Sequence, residues 1–172
     1  VLRGPRVAVI TNSASPGILA QAALTTTGLT PRTIEPTLNW RSGPDDYRSA
    51  IDTAVADDNI DGLLVIFAPP VPAFEAAMGP VIAAAAANVS KPVVAVMIGS
   101  GDGWVADGAS VPSFAFPEQA VATLASSYTY GCWLTTEATL ATDEPRTVDP
   151  GRAHSIVRDW LERPQVDPGV GV

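Results

Sequence analysis

The stretch from Arg6 to Gly28, RVAVITNSASPGILAQAALTTTG, constrains this chain most. Val7-Ala8-Val9-Ile10 is a short apolar run that stops at a polar hinge, Thr11-Asn12-Ser13-Ala14-Ser15. Pro16-Gly17 then opens a segment that ends at Gly28. That order predicts a buried strand, a tight loop and a helix. Ser13 or Ser15 can cap the helix, and Pro16 suits its first turn. Ile18, Leu19, Ala22 and Ala23 fall on one face at helical spacing and are the expected inward stripe. Gly28 suits the position after the helix. Such a helix start turns free N–H groups, and the positive end of the dipole, toward whatever lies beyond the strand. Anions, phosphate above all, suit that place.

The same alternation continues down the chain. Thr30 to Glu35 predicts a short strand, and Pro31 favours an edge position. A polar loop, Pro36 to Gly43, holds Asn39-Trp40-Arg41-Ser42. Pro44 starts a second helix with Asp45 and Asp46 in its first turn and Tyr47, Ile51, Ala54 and Val55 inward. Leu63 to Phe67 is wholly apolar, the pattern of a strand covered on both faces. A helical region follows from about Pro72 to Asn88, with Phe74, Met78, Val81 and Ile82 inward and a kink or restart expected at Pro80. Val93 to Met97 is another buried strand, Gly99 to Gly108 a flexible surface loop, and Val111 to Phe116 a last strand. Pro117 and Glu118 open a helix with Ala120, Val121, Leu124 and Tyr128 inward.

Strand and helix in alternation predict a parallel doubly wound sheet. Right-handed crossovers favour a flavodoxin-like, five-stranded, three-layer α/β/α fold of order 2-1-3-4-5. The expected organisation is an α/β domain over 1–134, a linker over 135–149, a helix over 150–163 leading toward a following module, and a disordered tail over 164–172. Asp149-Pro150 starts that helix, whose apolar positions are Ala153, Ile156, Val157, Trp160 and Leu161.

Of the 172 residues, 47% are apolar and 16% charged, which suits a sheet covered on both faces. The net charge is −8 and no Lys/Arg cluster exists, which argues against a nucleic-acid or anionic-membrane surface. No run reaches the roughly 18 apolar residues of a membrane span. A single cysteine, Cys132, permits no internal disulfide, fits a reducing compartment and points to the cytoplasm. With Tyr128, Tyr130 and Trp133 nearby, Cys132 is expected to be packed rather than reactive. The opening Val1-Leu2-Arg3-Gly4-Pro5-Arg6 is not a signal peptide and reads as an internal cut in a longer chain.

Ligands of such sheets bind beyond the carboxyl ends of the strands. Four loops qualify, 12–17, 39–43, 68–71 and 99–108, and the first alone carries the helix start described above. It has neither G-x-G-x-x-G nor G-K-[ST], so a dinucleotide fold or P-loop is not supported. Ala68-Pro69-Pro70 stands where a phospho-acceptor receiver domain needs an aspartate. Gly99-Ser100-Gly101-Asp102-Gly103 is not a nucleophile elbow. His154, the one histidine, is expected to be a solvated surface group, and one His with one Cys cannot build a usual transition-metal site. An FMN site is only partly imitated by Thr11-Asn12-Ser13-Ala14-Ser15-Pro16, with Trp40 and Trp104 as possible stacking partners.

Several segments together resemble one family. Arg6 to Ala20 resembles the R-V-A-I-V-T-N-x-G-G-P-G-I-L-A opening of a domain in NDP-forming acyl-CoA synthetases, the acetate–CoA ligase relatives of succinyl-CoA synthetase. Pro44-Asp45-Asp46-Tyr47-Arg48 is similar to their P-E-D-Y-R, and Asp61 to Pro70 to V-D-A-V-L-V-I-F-V-P-P. Lys91-Pro92-Val93, the stretch Val111 to Val121, and Tyr130 with Trp133 resemble further family segments. The likeness covers about residues 4–134 and implies the third, flavodoxin-like CoA-ligase domain. Its companions would be a CoA-binding domain, a ligase domain carrying a phosphohistidine in S-H-T-G-A, and an ATP-grasp module.

The implied reaction joins an acid to CoA with NTP, giving acyl-CoA, NDP and phosphate. CoA, ATP or ADP, and Mg would belong to the full enzyme and none directly to this domain. No catalytic residue or metal ligand is implied in this chain, and the isolated chain is expected to be inactive. What the resemblance implies for it is an anion-holding helix start at Asn12, Ser13, Ala14, Ser15, Pro16 and Gly17, with Asn39 in a possible site loop. Two departures stand out: Ala14-Ser15 replaces the family's G-G, and Asn39-Trp40-Arg41-Ser42 replaces N-P-V-D. Some relatives, associated with an acetyltransferase, carry a degenerate part that regulates or assembles. The Ala-rich composition and the loop Ala109-Ser110-Val111-Pro112-Ser113 resemble actinobacterial members of that kind.

Overall fold

A computed structural model describes residues 1–69, 75–87, 89–140 and 149–162. Compact units divide between Thr135 and Thr136. In the first unit the elements run β1 (Arg6–Thr11), α1 (Ala14–Thr26), β2 (Thr30–Thr33), α2 (Pro44–Ala56), β3 (Gly62–Phe67), α3 (Glu75–Ala86), β4 (Val93–Met97), β5 (Gly103–Trp104) and β6 (Pro112–Phe114). Helix α4 (Pro117–Leu140) follows, and α5 (Pro150–Leu161) lies in the second unit.

The sheet order is β2-β1-β3-β4-β6-β5. Its first five members are parallel and reproduce the expected doubly wound order. The expected count of five is corrected by β5, a two-residue strand antiparallel to β6. The glycine-rich stretch read as a flexible loop supplies it. Asp102 Oδ1 accepts the Ala115 N–H at 2.8 Å and Val105 N–H reaches the Val111 carbonyl at 3.1 Å, so this run is pinned to the sheet edge.

Alternation along each parallel strand fills two cores. Ala8, Leu63, Val65, Phe67 and Ala95 face α2 and α3, whereas Val7, Val9, Leu64, Ile66 and Val96 face α1 and α4. Every residue of β3 and β4 is buried, the state that their unbroken apolar sequences demand. The edge strand β2 is exposed at three of its four residues, consistent with Pro31 in it.

Several expectations are corrected. Helix α1 begins at Ala14, two residues before Pro16, and Ser13 at its cap makes no side-chain cap hydrogen bond. Its inward residues are Gly17, Ala20 and Leu24, while Ile18 and Leu19 are 65% and 52% exposed. The small residues decide this: a Cβ on Gly17 would lie 2.9 Å from Thr11 Cγ2, so the helix sits against β1 at a distance only glycine allows. Where α1 ends, Gly28 has φ +80°, and Gly28 N and Leu29 N bond to the Thr25 and Leu24 carbonyls at 3.2 and 2.9 Å, a Schellman closure.

Pro80 lies inside α3 without dividing it. Met78 and Ile82 are buried as expected; Phe74 is outside the described residues. Helix α4 continues to Leu140, into the stretch read as a linker, whose remaining part over 141–148 lies outside the described residues, as does the tail 164–172. Cys132 is exposed on α4, not packed. The expected helix near 150 is α5, begun by Asp149, whose carboxylate accepts Gly151 N–H and Arg152 N–H at 2.9 and 3.2 Å. His154 on it is exposed. No described helix is long and apolar enough to cross a membrane.

Candidate functional site

The carboxyl ends of β1 and β3 are laced together by one buried residue. Asn12 Oδ1 accepts the Ala68 N–H at 2.9 Å, and its Nδ2 donates to the Ala68 carbonyl at 3.0 Å. Its backbone N–H donates to Tyr47 Oη at 3.1 Å, and that hydroxyl donates to the Ile66 carbonyl at 2.7 Å. Asn12 therefore holds the loop; its side-chain amide is engaged inside the fold. Thr11 does similar work at the next peptides, its Oγ1 accepting from Ser13 N at 3.2 Å and donating to the Ser13 carbonyl at 3.0 Å.

From this anchored hinge α1 departs. Ala14 and Ser15 are its first two residues, Pro16 is the third, and Gly17 N–H reaches back to the Ser13 carbonyl at 3.4 Å. A proline there has no N–H to offer. The helix start thus leaves two open backbone donors, Ala14 and Ser15, both on exposed residues. No ionisable residue occurs between Arg6 and Arg32, so nothing local neutralises the positive end of the dipole.

The other helix starts whose first turns are described differ. In α2 the Gly43 N–H donates to Asp46 Oδ2 at 2.8 Å, and Asp45 stands beside it. Helix α4 has Glu118 in its first turn, and α5 has the Asp149 cap. Only α1 among these four carries no carboxylate of its own.

Beside the α1 start lies a cavity of about 330 Å³ between α1 and residues 33–38. Thr11, Ser13, Ala14, Gly17 and Ile18 line one side, Thr33, Ile34 and Leu38 the other, and no ionisable side chain contributes. Asn39 is not part of this lining. It is exposed and closes its own turn: Oδ1 accepts Arg41 N at 2.9 Å, and its N–H donates to Ser42 Oγ at 3.0 Å. The structure therefore brings Ser13, Ala14 and Gly17 to one cavity and leaves Asn39 outside it.

Trp40 and Trp104 are 62% and 64% exposed. Trp104 belongs to the edge strand β5, whereas Trp40 follows β2 at the opposite edge, five inter-strand steps or about 24 Å away. Arg41 covers Trp40, its guanidinium 4.5 Å from the ring centroid. The two tryptophans do not form one stacking site for a flavin. No group of three or more His, Cys, Asp or Glu among the described residues could hold a metal ion. The residue that sequence reasoning missed is Tyr47. Helical spacing puts it in the inner stripe of α2, but periodicity cannot show that its hydroxyl meets the Asn12 peptide.

No family model matches the sequence, and no curated protein matches it either. Solved structures do share its fold. The crystal structure of PH0766 from Pyrococcus horikoshii OT3 superposes with a TM-score of 0.62 at 23% identity, over 74% of this chain and 36% of that one. A dinucleotide forming acetyl-coenzyme A synthetase 1 from Ca. Korarchaeum cryptofilum, in complex with phosphate and ADP, superposes with a TM-score of 0.59 at 18% identity, over 85% and 37%. The chain thus spans little more than a third of the length of either structure. At these identities the likeness establishes the α/β three-layer fold.

Proposed function

We propose that this chain is the flavodoxin-like CoA-ligase domain of a multidomain NDP-forming acyl-CoA synthetase, in which the α1 start stabilises a phosphohistidine presented by another domain. The observation that carries the reading is the uncompensated α1 start. Ala14 and Ser15 present open N–H groups in a stretch without any charge, while α2, α4 and α5 supply carboxylates to theirs. Fixed amide dipoles stabilise a phosphoryl dianion without reorganising when it arrives. Ser13 and Gly17 shape the approach, Pro16 limits the donors to two, and Asn12 holds the hinge. Asn39 contributes, in this reading, a neighbouring loop rather than a ligand.

The shared fold with a synthetase solved in complex with phosphate and ADP supports this reading. So does the exposure of Ile18 and Leu19 beside the start, since a solvent-facing helix with no charge suits a surface that another domain covers. CoA, ATP or ADP, and Mg belong to the CoA-binding, phosphohistidine and ATP-grasp domains of the same protein; this chain holds none of them directly. Residues 1–134 form the ligase domain, and 150–163 lead toward the next module. The setting is the cytoplasm, with neither nucleic acid nor membrane as partner.

The test is a titration of the 172-residue chain with inorganic phosphate, followed by amide chemical shifts. Saturable shifts centred on Ala14 and Ser15 are expected; their absence sinks the reading. The chain alone should not form acyl-CoA from acid, CoA and NTP. A second reading, a degenerate regulatory or interaction module, is favoured by Pro16 at the third helical position, which leaves two donors where a full first turn offers more. It predicts an intact fold with no phosphate response.

A further inference from the structure

We infer that Tyr47 is a positioning residue for the α1 start: its hydroxyl, brought from α2 to the ends of β1 and β3, fixes the Asn12 peptide from which the Ala14 and Ser15 amides are aimed. The inference rests on the anion reading above and names the group that holds that site in shape.

Tyr47 is fully buried, with its ring edge-on to Phe67 at 5.8 Å between centroids and 82° between planes. Packing alone would be served equally well by phenylalanine. The hydroxyl accepts the Asn12 N–H at 3.1 Å and donates to the Ile66 carbonyl at 2.7 Å. Asn12, itself 6% exposed, is also clamped through its side chain to Ala68 N and O. One residue, two positions before the first open amide, is therefore fixed by three hydrogen bonds, one to α2 and two to the residue that follows β3, and the Tyr47 hydroxyl ties its α2 partner to β3 through a fourth.

A dipolar site stabilises charge only as far as its donors are held in place beforehand. The same tyrosine ties the hinge to the helix that packs under the opposite face of the sheet, so α1 is aimed by an element it does not touch through its own core. Burial pushes the Tyr47 phenol well above its usual range, which keeps the donor present at every ordinary pH.

The test uses the 172-residue chain, Tyr47→Phe, and Ile51→Val as a control on the buried face of the same helix. Hydrogen exchange is read at the Ser13 and Gly17 amides, whose acceptors, Thr11 Oγ1 and the Ser13 carbonyl, the substitution leaves in place. In Tyr47→Phe their exchange should rise about tenfold beyond the change in global stability, the size expected from losing about one well-placed hydrogen bond. In Ile51→Val it should follow global stability alone. Phosphate affinity read at Ala14 and Ser15 should fall by about five- to tenfold in Tyr47→Phe and stay unchanged in Ile51→Val. Exchange at Ser13 and Gly17 that rises no more in Tyr47→Phe than global stability requires would overturn the inference. If the unaltered chain shows no phosphate response, the anion reading falls, and the exchange at those two amides still decides the role of Tyr47.

Discussion

Helices α1 and α2 start in the same fold and are finished in opposite ways. Helix α2 begins with Pro44-Asp45-Asp46, and the Asp46 carboxylate returns to the Gly43 N–H. Its dipole is answered from within the chain by two first-turn carboxylates, which repel an incoming anion. Helix α1 begins with Ala14-Ser15-Pro16-Gly17, uncapped by side chain and uncharged throughout. The contrast lies in what the sequence of α1 withholds, a carboxylate at its own start. An uncapped start lowers the stability of the helix by roughly 1 kcal/mol relative to a capped one.

The strongest way to break the contrast is to give α1 what α2 has. Ser15→Asp places a carboxylate in the first turn. A like charge about 4 Å from a phosphoryl group costs about 4 kcal/mol at an effective dielectric of 20, so phosphate affinity should fall at least about a hundredfold. Thermal unfolding should meanwhile shift upward, because the same carboxylate stabilises the helix by about 0.3–1 kcal/mol. Opposite signs in binding and stability are the result that matters; parallel losses would point to simple misfolding of the loop.

Gly17→Ala tests the packing behind the site. The added Cβ meets Thr11 Cγ2 at 2.9 Å, and Thr11 cannot turn away without releasing Ser13. A loss of about 1–2 kcal/mol in denaturant unfolding is expected, together with altered Ser13 and Ala14 amide shifts. A neutral result would show that α1 has slack against β1.

Asp46→Ala removes the answer from α2 and should cost about 1 kcal/mol, the size of an N-terminal cap, while leaving the phosphate response of Ala14 and Ser15 unchanged. If that response moved, the two helix starts would not be independent.

The smallest effect concerns the far end of the sheet. The Arg6 guanidinium, with Nε and Nη2 both 2.8 Å from Asp61 and the Arg6 N–H at 2.9 Å, holds the Asp61 carboxyl below its usual 3.8. A depressed acid contributes stability that is fully present above the unfolded value and is lost as pH falls through the folded one. Unfolding free energy should therefore decline below about pH 4 with a slope that Asp61→Asn reduces. The open amides of α1 do not titrate, so this acid limb should leave their geometry unaltered until the fold itself gives way.

Much of this was legible along the chain. The alternation of Val7–Ile10, Leu63–Phe67 and Val93–Met97 with helical segments is enough for the parallel order, because wholly apolar strands must be covered on both faces and right-handed crossovers leave few arrangements. The β5 strand was not legible. Two residues inside a glycine-rich run carry no period, and only their antiparallel pairing with β6, flanked by the Asp102 and Val105 hydrogen bonds, makes Gly103–Trp104 a strand. The long α4 was half legible, since Thr135 and Thr136 are poor helix formers that a preceding helix nevertheless carries along.

The candidate site divides in the same way. Its place at the end of β1, its lack of charge and the presence of Pro16 are properties of the sequence, fixed by which side chains exist to accept, donate or repel. Which face of α1 turns inward is not. The helix is apolar nearly all round, so periodicity has no preference between Ile18 with Leu19 and Gly17 with Ala20 and Leu24. The approach of α1 to β1 at Thr11 selects the small residues, and the large ones are left outside. Nor could the sequence join Tyr47 to Asn12, residues 35 positions apart. That contact exists because the sheet brings α2 under the carboxyl end of β1, and a hydrogen bond is decided by distance and direction in space, which only the packed chain possesses.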